Sequence, residues 1–125
     1  MSFLPKRRGG FLQVSGITYS VDMNVESSVK KDENNQFLYA DGKYRVFDVQ
    51  VDGKDLDPDS EYTLATNKFI LGGGDGYTMF KEADILEVIP LYDNEVLTKY
   101  IEENLEGVIS EKYEKPLGRI HWITQ

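Results

Sequence analysis

Cysteine is absent from this 125-residue chain, and histidine occurs once. Without thiols there is no disulfide framework, no thiolate metal site and no cysteine nucleophile, and the absence fits a reducing compartment and a secreted bacterial chain alike. The lone His121 falls in an expected strand beside Trp122, where such a residue is ordinarily structural or at the surface. One histidine cannot assemble a two-metal hydrolase centre, which draws on several His, Asp and Asn ligands. Nor is there a nucleophile elbow for a Ser-His-Asp triad around Ser15 or Ser110. No catalytic or metal-binding residue is therefore expected in the chain itself. Long apolar runs are missing too: none approaches the roughly 20 residues that cross a bilayer, and the opening MSFLPKRRGG has no signal-peptide core. Any targeting segment is expected to lie outside these residues. Positive charge is in deficit, with 14 Lys+Arg against 22 Asp+Glu, a net charge of −8 and a pI near 4.6. That balance opposes binding to nucleic acid or anionic membrane, both polyanions, and leaves small ligands open.

What is present suits one compact domain of mixed strands and helices. The stretch FLQVSGITYSVDM (11–23) is rich in β-branched and aromatic residues, and YRVFDVQV (44–51) alternates apolar with polar between Asp41-Gly42 and Asp52-Gly53, both hairpin signals. Between them VESSVKKDENNQ (25–36) reads as an exposed loop. LDPDSEY is a Pro-Asp turn, after which YTLATNKFIL (62–71) reads as a strand running into glycines. YTMFKEAD suits a short helix. From Asn94, Leu97, Tyr100, Ile101 and Leu105 recur at helical spacing until Gly107 stops them, and GRIHWIT reads as a closing strand. Strands and helices without regular βαβ alternation predict an α+β fold.

The stretch NKFILGGGDGY (67–77) carries the chemistry. Three consecutive glycines after an apolar run commonly make a mobile turn. No Gly-Lys-Ser/Thr follows, and the GxGxxG spacing is lacking, so neither a P-loop nor a dinucleotide fold is indicated. The sharper reading is that Gly73, Gly74 and their neighbours permit positive φ and close backbone approach, so that Asp75 presents an acceptor-only carboxylate to paired hydroxyls such as a ribose diol. Phe11 and Phe69 each follow the pattern of a core residue at a strand end. As a pair at two glycine-flanked edges, they also suit stacking on a planar base. Asp55, Asp57 and Asp59 have the alternate spacing that opens a calcium loop, but Ser60 and Thr66 stand where its glycine and bidentate glutamate belong, and Pro58 interrupts it.

Taken in order and spacing, GGFLQVSGI, VDGKDLDPDSEYTLATNKFILGGGDGYTMF and LGRIHWI resemble the C-terminal domain of the 5′-nucleotidase family, which also contains UDP-sugar hydrolases and cyclic-nucleotide phosphodiesterases. The six-residue spacing from Phe69 to Asp75 is the most specific part. The resemblance implies a division of labour. An N-terminal metallophosphoesterase domain of the parent protein holds two divalent metal ions and cleaves the phosphate ester, while the C-terminal domain binds the nucleoside part of the nucleotide. On that pattern Phe11 and Phe69 match the two aromatics that stack on opposite faces of the base, Asp75 matches the carboxylate on the ribose hydroxyls, and Gly73 and Gly74 let the backbone pass close to the sugar. A secreted, periplasmic or cell-surface location is implied as well. Departures are also visible. No helix with a substrate-facing arginine precedes Gly9, neither Arg7 nor Arg8 takes that role, and Lys68 stands where relatives more often carry an acidic or amide residue. Residues 1–8 are accordingly expected to be a disordered tail and 9–125 the binding domain, incomplete at its N-terminal side. A non-catalytic module that binds a partner protein is the alternative from a different class.

Overall fold

The computed structural model describes residues 10–34 and 37–124, in which strands and short helices combine as an α+β fold. In ITYSVD the odd-numbered residues are apolar or aromatic and the even-numbered ones polar, the period of a strand with one buried face. These residues form β1, Ile17–Asp22, and Tyr19 and Val21 on that face are the most enclosed side chains described, 2% and 0% exposed. Gly16 precedes it in the left-handed region, φ 73°. The ladder therefore begins at Ile17, and Phe11 lies outside it, contrary to the expected strand.

Strand β1 lies between two partners. β4, Val46–Val51, runs antiparallel to it, and β6, Ile120–Ile123, runs parallel with Tyr19 opposite Ile120 and Val21 opposite Trp122. A two-residue strand β5, Lys54–Asp55, completes the order β5-β4-β1-β6. Its hairpin with β4 turns through Asp52 and Gly53, at φ 49° and 75°, the pair of positive values that a two-residue hairpin loop requires. Asp48, also at positive φ, sits where β4 carries one extra residue against β1, between the Ser20–Phe47 and Thr18–Gln50 pairs.

The polar segment 25–36 is not wholly loop. Within it β2, Val29–Lys31, pairs antiparallel with β3, Phe37–Ala40, and Asp41 N–H donates to the Ser28 carbonyl at 2.7 Å. A three-residue strand held by backbone bonds needs no apolar alternation of its own, so composition concealed it. Arg45 is almost fully buried beside this hairpin, and its guanidinium donates to the Val25 carbonyl.

The expected Pro-Asp turn is stitched by one carboxylate. Asp57 accepts from Asp59 N–H at 3.0 Å and from the Ser60 hydroxyl at 2.7 Å, so its oxygens are engaged by its own turn. The Ser60 hydrogen bond first, and the Asp59 amide second, hold its carboxyl below the ordinary aspartate value. The sign follows: stability linked to Asp57 is present above that ordinary value and is lost as pH falls through the lowered one. A carboxyl-detected NMR titration should place the Asp57 midpoint below 3.8, and Ser60→Ala should move it back up. An unshifted midpoint in the unmodified chain would contradict the turn geometry.

These strands form one unit, running to Leu64 and resuming at Gly118; Ala65–Leu117 form a second. The expected strand 62–71, which spans the boundary of the two units, is replaced by irregular backbone without ladder pairing and then a one-turn helix α1, Lys68–Leu71. Asn67 is the cause: its Oδ1 accepts the Ile70 N–H at 3.0 Å, satisfying a first-turn donor as an N-cap does. Short 3₁₀ turns follow at Gly74–Gly76 and Thr78–Glu82. Helix α2, Asp93–Lys99, starts one residue before Asn94, with the Tyr92 N–H donating to Glu95 at 2.7 Å. It continues as wider π-type turns through Asn104 and ends at Gly107, φ 76°, whose N–H bonds the Ile101 carbonyl at 2.8 Å. The expected helix is there, but Leu97 and Tyr100 on it are exposed.

Candidate functional site

Helix α1 sorts its two central residues by direction. Ile70 is 3% exposed and anchors the turn, while its neighbour Phe69 is 62% exposed. The helix can run no further, because Gly73 sits at φ 87° and its N–H caps the Ile70 carbonyl at 2.9 Å. The chain then folds back under the aromatic ring. A Cβ added to Gly74 would come within 2.5 Å of Phe69 Cε1 and 2.6 Å of Cδ1 and Cζ, so the ring rests directly on bare backbone. One face of Phe69 is thus seated and the other is open. Any larger residue at 74 would displace the ring.

Asp75 follows at φ 52°, ψ 23°, a left-handed conformation that aspartate tolerates better than most residues. Its carboxylate is exposed. The 3₁₀ turn around it closes with Tyr77 N–H on the Gly74 carbonyl at 3.1 Å. Just beyond, Tyr77 and Phe80 stack with centroids 6.0 Å apart and planes at 7°. Phe69, Gly73, Gly74 and Asp75 therefore lie on one loop, and each of the two glycines has a side chain packed over it. Gly74 is the seat of Phe69, and the open side of Gly73 is covered by the stem of Lys81, whose Cε a Cβ there would strike. Lys81 escaped sequence reasoning because a lone lysine in a short polar helix carries no signal.

Phe11 belongs to the first unit. It is half-buried, and its ring lies 5.8 Å from that of Trp122 on β6, tilted by 35°. Trp122, 46% exposed, is a second aromatic there that its place beside His121 did not single out. His121 itself is exposed on β6 opposite Ser20. A half-open cleft of about 380 Å³ in the same unit, lined by Asn24, Glu26, Ser28, Lys30, Asp41 and Lys43 among others, contains none of the residues singled out from sequence. Among the described residues no group of three or more His, Asp or Glu side chains is placed to hold a metal ion. No described helix is long and apolar enough to cross a membrane. Residues 1–8, the expected tail, lie outside the described residues.

The glycine loop thus carries an exposed aromatic ring and an exposed carboxylate on one short stretch of an α+β scaffold. Residues 4–82, which include that loop and Phe11, match the family model described as 5′-nucleotidase, C-terminal domain. The chain belongs to that family. It is 31% identical over 90% of its length to the trifunctional nucleotide phosphoesterase protein YfkN of Bacillus subtilis, covering 7% of that protein. It is 40% identical over 64% of its length to protein UshA of Yersinia enterocolitica, covering 14% of it. The cell wall protein Lmo0130 of Listeria monocytogenes is 33% identical over 74% of the chain, which spans 10% of that relative. The chain thus corresponds to a small part of each of these relatives. No solved structure matches it.

Proposed function

We propose that this chain is the nucleoside-binding part of a 5′-nucleotidase-type phosphoric ester hydrolase, with Phe69 stacking on the base and Asp75 accepting hydrogen bonds from the ribose hydroxyls. The observation that carries the reading is the loop itself: an exposed aromatic seated on Gly74 and, six residues along, an exposed carboxylate held in a left-handed turn. Stacking suits every base, and an ionised carboxylate is matched to a diol because it only accepts. Phe11, which lies beside Trp122 in the first unit, carries a base-stacking role only from the family resemblance. Membership of the family and the name of the Bacillus relative support a nucleotide as the ligand.

Cleavage of the ester belongs, on this reading, to a metallophosphoesterase domain N-terminal to these residues in the parent protein, which holds two divalent metal ions. Location outside the cytoplasm is part of the same proposal, supported by the relative named as a cell wall protein. Monophosphates are the proposed substrates, with cyclic nucleotides and nucleotide sugars as the alternatives inside the family. An NMR titration of the chain with adenosine, AMP and UMP tests the core of the reading. Amide shifts are expected at residues 69–77 with all three ligands. Shifts confined to the cleft at Asn24–Lys43, or none at all, would refute it.

A further inference from the structure

Lys81 is a charged side chain at the glycine loop that nucleoside binding leaves unused, and unlike Lys68 it lies across one of the glycines. From the 3₁₀ turn Thr78–Glu82 it folds back across Gly73, where an added Cβ would strike Cε and lie 3.3 Å from both Cδ and Nζ. A lysine free in solvent has no reason to lie along backbone. This one spreads its methylenes over the bare peptide of Gly73 and holds its ammonium two residues from Asp75. Among the described residues that ammonium has no carboxylate partner.

We infer that Lys81 is the anion contact of the loop, receiving the phosphate of a nucleoside monophosphate and making the site prefer nucleotide over nucleoside. The inference rests on the nucleoside reading of Phe69 and Asp75 and adds the third part of the ligand to it. A ring face, a carboxylate and an ammonium on one short segment complement a base, a diol and a phosphate. The cation is needed, because a phosphate monoester carries about −1.5 to −2 charges at neutral pH and meets Asp75 in a chain whose net charge is −8. Gly73 has a reason in the same arrangement, since any side chain there would push the lysine off the loop.

The test is a titration of the 125-residue chain with adenosine and with AMP at low ionic strength, followed by NMR. AMP is expected to bind about two- to fivefold more tightly, the range of an exposed charge pair, and the preference should shrink as salt is added. Lys81→Met keeps an aliphatic stem over Gly73 and removes the charge, so the AMP preference should vanish; Lys81→Arg should retain it. A wild-type chain that binds adenosine as well as AMP, or a Lys81→Met chain that keeps the preference, would overturn the inference and leave nucleoside binding standing. Failure to bind either ligand would instead overturn the nucleoside reading, and this inference with it. The wild-type ratio and its salt dependence decide the matter even where a variant folds poorly.

Discussion

Phe69→Ala is expected to weaken AMP binding by about 1–3 kcal/mol, the measured range for losing one base-stacking aromatic, while the melting temperature falls only slightly. The asymmetry comes from where the ring sits. Phe69 is 62% exposed with its ring lying over Gly74, so its removal uncovers little apolar surface. Ile70 provides the opposite result one residue away: at 3% exposure, its replacement by Ala should cost about 2–5 kcal/mol of stability, as buried aliphatic truncations do. Phe69→Tyr should bind like the unmodified chain, because tyrosine presents the same π-face and fits the same glycine seat. Calorimetric titration and thermal melts of the three variants read both columns at once. Should Phe69→Ala melt many degrees lower yet keep its affinity for AMP, the ring is a packing element and the stacking assignment is wrong.

Replacing Asp75 by Gly or by Ala should weaken adenosine binding to the same extent, about 1.5–3 kcal/mol for a hydrogen bond to a charged group, but should move stability in opposite directions. At φ 52° and ψ 23° the backbone is left-handed, which glycine adopts freely and alanine resists by roughly 1–2 kcal/mol. The Gly variant is therefore expected to melt at or above the unmodified chain, and the Ala variant below it. Equal loss of binding in two variants of unequal stability would trace the loss to the carboxylate and not to the turn. The ligand side offers the matching control. The unmodified chain should favour adenosine over 2′,3′-dideoxyadenosine, and the Asp75→Gly chain should not distinguish them. If Asp75→Gly binds adenosine at full strength, the ribose contact lies elsewhere.

Much of this protein could be read without coordinates wherever side chains report their own surroundings. The β-branched and aromatic content of FLQVSGITYSVDM announced a strand, of which Ile17–Asp22 form β1, Asp52-Gly53 announced the hairpin of β4 and β5, and the helical spacing from 94 with Gly107 behind it announced α2. Three quoted segments pointed to the family that comparison establishes. Other features depended on partners that no local pattern names. Lys30 reads as solvent loop until its backbone pairs with Tyr39. KFIL is too short for a period of two to be told from one of 3.6, and a hydrogen bond from the Ile70 N–H to the Asn67 side chain decided for the helix, carrying Phe69 onto a turn and not a strand edge. Gly73 and Gly74 show the division most sharply. Their presence signals that a Cβ has no room, but the Lys81 stem and the Phe69 ring that take the room come from eight and five residues away. Which side chain fills a space is settled by how the backbone turns between them, and that is a property of packing, not of any local stretch.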